Sequence, residues 1–391
     1  MKRIIVIIAI VVSGAKLFSQ NSVENVLMEV EKNNTTLSAY QKSIDAEKIG
    51  NKTGLTPLNP EVEFNYLWGN PTAIGNRTDF SIRQSFDFPT SYSYRNQIAE
   101  LKNEQAELEF LKQRREILFQ ARLICVDLAY YNSLHAEISK RLNHDEKLAN
   151  AYKAMFDVGE TGILEYNKAQ MNLLIVSKEF EKVEIERIAL QSELNRLNGG
   201  VEIVFDGTDF QKQFITLDFE QWYAIAEQNN PVLQWVKKEI SMLEKQSKLA
   251  VSQALPKFHV GYMSEKVVGE QFQGVTVGIS IPLWENKNAI KYAKANAIAA
   301  QSFEADTRLQ FYNELKTLHT RAIALQSSVA DYRTKLASYS NTALLQKALD
   351  KGEISLAEYF IELSLYYESV DKLLEIEKEF NTVYVGLSKY R

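Results

Sequence analysis

The sequence holds one cysteine, Cys125, so no disulfide can form within the chain. Its four histidines, His135, His144, His259 and His319, lie far apart and offer little to a metal or base-driven site. Proline occurs seven times, with none between 90 and 230 and none after 282. Glycine is missing from 90–158, 163–198 and 283–351. Proline costs about 3 kcal/mol in a helix interior and glycine about 1, so these gaps admit long uninterrupted helices. Long apolar runs are also lacking. Ile4–Val12 is nine residues, well short of the roughly 20 that a spanning helix needs. If this chain enters a membrane, it does so by strands. No nucleophile elbow, phosphate loop or metal-spaced cluster is present, so no enzyme class, cofactor or metal is expected.

What stands at the N-terminus is the pattern of an export signal. Lys2 and Arg3 precede Ile4–Val12, and Ser13, Gly14 and a short polar stretch follow. This reads as a signal peptide over 1–19 with cleavage after Ser19. No cysteine follows the apolar run to accept a lipid. Removal takes three bases and leaves 42 against 50 acids, a mature charge of −8. Such a balance argues against a nucleic-acid partner.

The breaker-free stretches carry a helical seam. Leu173, Val176, Phe180, Val183, Leu190, Leu194 and Leu197 step by three and four, with Arg187 at the one missed position. Leu101, Leu108, Leu111, Leu118, Ala121, Cys125 and Leu128 continue the pattern, which is that of a coiled coil. Helices of this length span roughly 100 Å.

The chain also repeats itself. Asn33-Asn34 and Leu37 recur as Asn229-Asn230 and Leu233, and Pro60 recurs as Pro256, at an offset of 196. Further on the offset is 193. Pro89 matches Pro282, and VGETGILEY (158–166) matches KGEISLAEY (351–359). Repeat one covers about 20–198 and repeat two 217–391, with a connector at 199–216. Each reads helix, strand, strand, long helix, tight turn, helix. Expected helices are 22–54, 91–157 and 163–198, then 219–252, 284–349 and 355–390. Expected strands are 61–68, 78–88, 257–264 and 275–281.

All four strands alternate. Val62, Phe64, Tyr66 and Trp68 share one face of the first, and Phe80, Ile82, Phe86 and Phe88 one face of the second. Phe258, Val260 and Tyr262 do so in the third, and Val275, Val277 and Ile279 in the fourth. The opposite faces are polar and carry Glu61, Glu63, Asp79, Arg83, Asp87 and Lys257. Alternating segments of this length in a secreted chain match outer-membrane barrel strands, apolar side to lipid and polar side to the lumen. Tyr66, Trp68 and Trp284 then become interfacial girdle residues. A barrel in lipid must close, and four strands are too few. At least two chains must share one barrel.

The duplicated NNTTL/NNPVL helix starts, the NPEVEF/LPKFHV strand openings, the FDFP/SIPLW strand ends and the paired glycine turns resemble the TolC-like outer-membrane efflux protein family. The resemblance runs over nearly the whole mature chain. It implies a mixed α/β membrane protein, with a long α-helical coiled-coil barrel continuous with a transmembrane β-barrel shared by a homotrimer. It also implies a periplasmic adaptor and an inner-membrane pump of RND or ABC type beneath it. On this reading the protein passively exports small molecules or metal cations. A type I protein-secretion conduit is the alternative, and a secreted coiled-coil adaptor a weaker one. The connector would contribute a band around the tunnel. The glycine turns would form the periplasmic tip, where Asp157, Gly159, Glu160, Asp350, Gly352 and Glu353 meet the adaptor or gate the tunnel.

Overall fold

The computed structural model describes residues 22–208, 215–284, 286–339 and 341–391. The expected signal peptide and residues 209–214 of the connector lie outside the described residues. In chain order the elements are α1 (Val23–Asn33), α2 (Thr35–Gly50), β1 (Glu61–Leu67), β2 (Arg77–Phe86), α3 (Pro89–Asp157) and α4 (Ile163–Leu197). Then follow α5 (Phe219–Asn229), α6 (Pro231–Gln253), β3 (Lys257–Val267), β4 (Glu270–Ser280), α7 (Ala289–Ser338), α8 (Thr342–Asp350) and α9 (Leu356–Leu387).

The repeated Asn-Asn pairs end one helix and start the next. Asn34 accepts the Leu37 amide on its side chain at 2.8 Å, and Asn230 accepts the Val232 amide at 2.9 Å. Both asparagines are extended, so each expected opening helix divides in two at its cap. The long helix of repeat one is unbroken over 69 residues. Its counterpart begins at Ala289 instead of 284 and is interrupted between Ser338 and Thr342. The sequence there, SYSNT, places Ser and Asn where side chains compete with the helical backbone. The absence of Gly and Pro permitted a helix across this point but did not compel one.

The chain divides into two compact units. Of the described residues, one comprises 22–33, 120–208 and 325–382, the other 34–119, 215–324 and 383–391. In the first, α3, α4 and α9 share a core. Tyr130, Leu134 and Ile138 of α3 pack with Val176 and Val183 of α4, and Leu374 of α9 closes the cluster. A second cluster joins Ala149, Ala169, Leu356, Tyr359 and Leu363. The polar break in the α4 seam has a partner: Arg187 donates to Asn132 Oδ1 at 2.8 Å. The start of the connector is strapped to the same helices. Asn132 donates to Gly207 O at 3.1 Å, Ser133 to Thr208 O at 2.7 Å, and the Ile203 amide to Asn195 Oδ1 at 3.0 Å.

The second unit holds one antiparallel sheet in the order β1-β2-β3-β4. Its C-terminal residues are tied down as well. Trp222 Nε1 donates to Leu387 O at 3.2 Å, and Lys389 pairs with Glu116 at 2.6 Å. His319 Nε2 donates to Thr216 O at 2.7 Å and the ring packs on Phe219, a structural anchor at the end of the connector.

Candidate channel surfaces and tip

Two regions carry the predicted functional residues, the sheet and the pair of glycine turns. The register settles which strand residues share a face, because residues directly opposite each other project to the same side. Val62 faces Ile82, Ile82 faces Tyr262, and Tyr262 faces Val275. Phe64 faces Phe80, Gln84 faces Val260, Val260 faces Val277, and Phe258 faces Ile279. The apolar alternation of four separate segments therefore merges into one surface. That surface is bare: Phe64 is 65% exposed, Val277 74% and Val275 80%. Trp68 and Phe88 lie just beyond β1 and β2, and Phe88 packs near the Phe258 ring. Trp68 stacks edge-on against Tyr66 at 5.6 Å and is itself exposed.

The opposite face holds Glu61, Glu63, Asp79, Arg83 and Lys257, as expected, and Glu61 stands opposite Arg83. Strands β3 and β4 run further than the alternation suggested and add Glu265 and Glu270, while β2 begins early enough to add Arg77. Arg77 pairs with Asp79 at 2.8 Å and with Glu265 at 3.2 Å. Within the strands this face carries five acids and three bases, again a net −2. Asp87 falls outside the strand and pairs with Arg95. Gly278 is occupied space: a Cβ there would meet the His259 ring at 2.3 Å.

The two turns are built alike. Gly159 has φ +78° and Gly352 φ +71°. The Glu160 amide reaches back to Met155 O at 2.8 Å, and the Glu353 amide to Ala348 O at 2.9 Å. Both are Schellman caps, in which the left-handed residue satisfies the last helical carbonyls. Each cap leaves its glutamate on the surface, immediately after the glycine.

Beyond the caps the turns differ. Tyr166 stacks on Phe156 at 5.2 Å in the first. In the second its counterpart Tyr359 is buried and enters a relay. Gln346 donates its amide to Asp350 Oδ1 at 2.8 Å, so its oxygen faces Tyr359, which donates to it at 2.9 Å. Tyr359 must then accept from His144 Nε2 at 2.8 Å, which fixes the Nε2–H tautomer. Burial, with Lys147 nearby, holds the His144 imidazole below the ordinary histidine range. Ser355 and Glu358 form a reciprocal capping box, at 3.2 and 2.8 Å, where the first turn has Gly162.

A buried polar group on α3 was not foreseen. Arg141 donates to Asp371 Oδ2 at 2.8 Å and lies over the Tyr367 ring at 4.4 Å. One turn on, Asp145 is 2% exposed, accepts from Asn172 at 2.8 Å on one oxygen, and has no partner for the other among the described residues. Burial raises its pKa to about 6 against the opposing pull of Arg141. A cavity of about 540 Å³ opens beside it between α4 and α9. An isolated acid inside a long helical pattern gave no sign of this in the sequence. His135, beside Phe180 and Glu184, is a seam residue.

No family model matches the chain, and no curated protein matches its sequence. Solved structures do match. A structure of CusC described for its transmembrane channel formation aligns over 95% of this chain and 92% of its own, at TM-score 0.78 and 14% identity. The CmeC outer membrane channel of Campylobacter jejuni aligns over 94% and 85%, at TM-score 0.74 and 14% identity. The outer membrane protein VceC of Vibrio cholerae aligns over 93% and 94%, at TM-score 0.73 and 12% identity. The chain has the fold of the TolC-like outer-membrane channels.

Proposed function

We propose that this protein is the outer-membrane channel of a tripartite efflux system. Three copies close their sheets into one 12-stranded barrel, and the helices continue it as a tunnel in the periplasm. The observation that carries the reading is the sheet. It is four strands wide, open at β1 and β4, exposed and apolar on one side and charged on the other. Such a sheet is unstable in water and, by itself, impossible in lipid, where every edge must be paired. Three copies supply 12 strands, within the known range of membrane barrels.

Transport through such a barrel is passive. The polar face carries −2 per chain, a mild bias toward cations in a shared lumen. Small molecules or metal cations would be handed on by an inner-membrane pump through a periplasmic adaptor. The adaptor would meet the glycine turns, where Asp157, Glu160, Asp350 and Glu353 can be brought round one axis as acidic rings. Separation of inner and outer membranes, followed by crosslinking in detergent, tests the assignment. An outer-membrane trimer with heat-modifiable gel migration is expected. A soluble pool, or monomers alone after crosslinking, would refute it.

A further inference from the structure

The internal repeat makes the seam between copies legible, if the shared-barrel reading above holds. Within the chain, the second strand of repeat one pairs with the first strand of repeat two, β2 with β3. The one junction of that kind still open is β4 with β1 of another copy. We propose that these strands pair antiparallel with Thr276 opposite Asn65 and Val277 opposite Phe64 of the next copy.

The offsets carry the β2–β3 pairing onto this register. They do not carry β1–β2 onto β3–β4, where Lys257 stands opposite Ser280 and not Thr276, so strand overlap and closure decide it. Gln84 faces Val260 inside the chain. Moving Gln84 forward by 193 and Val260 back by 196 yields Val277 and Phe64. Strand overlap supports it independently: all seven residues of β1 then lie against 274–280, inside β4. Faces agree as well, since apolar Phe64, Val62 and Tyr66 meet apolar Val277, Ile279 and Val275. A shift by one residue would turn every side chain of β1 to the wrong side.

Closure geometry agrees with the same choice. Glu61 is level with Arg83, Gly261 and Thr276 across the four strands. Placing Thr276 opposite Asn65 advances four residues per copy, or about 12 around 12 strands. With a rise of about 3.3 Å and a spacing of about 4.8 Å, the strands tilt by roughly 35°. Advances of six or eight residues tilt them by about 46° or 54°, at or beyond the usual limit of about 45°. They also strand two and four residues of β1 without partners.

The helices show a surface left open in the same sense. On α9, Tyr367 and Lys378 lie against α3, through Arg141 and Asp127. The equivalent positions on α4, 193 residues earlier, are Leu174 and Ile185, which are 51% and 65% exposed. Repeat one thus keeps bare the face that repeat two covers within the chain, as a ring of alternating repeats requires.

Paired cysteines test the register in intact outer membranes. The native thiol will not interfere, because Cys125 is buried and its pKa is pushed up to about 12. Asn65→Cys with Thr276→Cys, and Phe64→Cys with Val277→Cys, should form disulfide-linked dimers and trimers on mild oxidation. One pair faces the lumen and the other lipid, so one falls at a non-hydrogen-bonded position, where side chains approach most closely. Asn65→Cys with Ser280→Cys should stay unlinked, being four residues out of register, about 13 Å. Linkage through Ser280, or through Phe64→Cys with Ile279→Cys above the matched pairs, in a trimer intact on native gels would overturn the register. Loss of the trimer in the unmodified protein would instead overturn the shared barrel itself.

Discussion

Asp145→Asn should abolish a pH dependence that the wild-type helical unit carries between about pH 4 and 6. Asp145 is 2% exposed, one of its oxygens has no partner among the described residues, and its pKa rises from 3.8 to about 6. The folded state therefore holds the proton more tightly than the unfolded state. Stability on this account is highest below about pH 4 and falls as pH rises through 6, where the carboxyl must ionise in a buried place. A shift of about two units corresponds to roughly 3 kcal/mol. Asparagine keeps the acceptor for the Asn172 amide and cannot ionise. It also leaves a buried amide in place of the unpartnered oxygen, at a pH-independent cost of about 1–3 kcal/mol. The difference between variant and wild type, and not either absolute value, isolates the effect. Melting followed by circular dichroism in detergent from pH 4 to 7.5 should show the variant gaining on the wild type as pH rises, by on the order of 5 °C. Parallel pH profiles for the two proteins would refute a buried, uncompensated carboxylate at 145.

Phe64→Arg should lower the yield of heat-modifiable trimer, because a lipid-facing Arg near mid-barrel costs about 2–4 kcal/mol. Asn65→Arg, one residue on and on the polar face, should insert far better, and equal losses would mean the faces are misassigned. Glu160→Gln with Glu353→Gln should favour a closed tip by removing like charges gathered round one axis. Planar-bilayer recordings should then show lower conductance and weaker block by divalent cations, and unchanged records would reduce these acids to solvated turn residues. Gly162→Ser should stabilise the first turn, since Gly162 has φ −82° and ψ 160°, open space for a Cβ, and Glu165 three residues on. It would copy the Ser355–Glu358 capping box for a gain of about 0.5–1 kcal/mol, read as a small rise in melting temperature.

Most of the secondary structure followed from local rules. Two Asn-Asn pairs, two glycine turns and two pairs of prolines at fixed offsets pointed to a duplicated unit, because each marks a backbone conformation that few residues tolerate. Period-two alternation determined that the strands have one apolar and one polar side. Strand ends were less legible, since Arg77, Glu265 and Glu270 extend the strands through pairing with neighbours and not through any pattern of their own. The break between Ser338 and Thr342 was likewise hidden, for missing breakers allow a helix without enforcing one. Only the tertiary structure joined the four alternating faces into one surface, because register is a property of pairs of strands. The same holds for the buried groups on α3. Arg141, His144 and Asp145 are ordinary polar residues in a helical sequence, and it took α9 and α4 closing over them to bury a carboxylate and order a relay. Burial depends on what packs above a residue, and no local pattern records that.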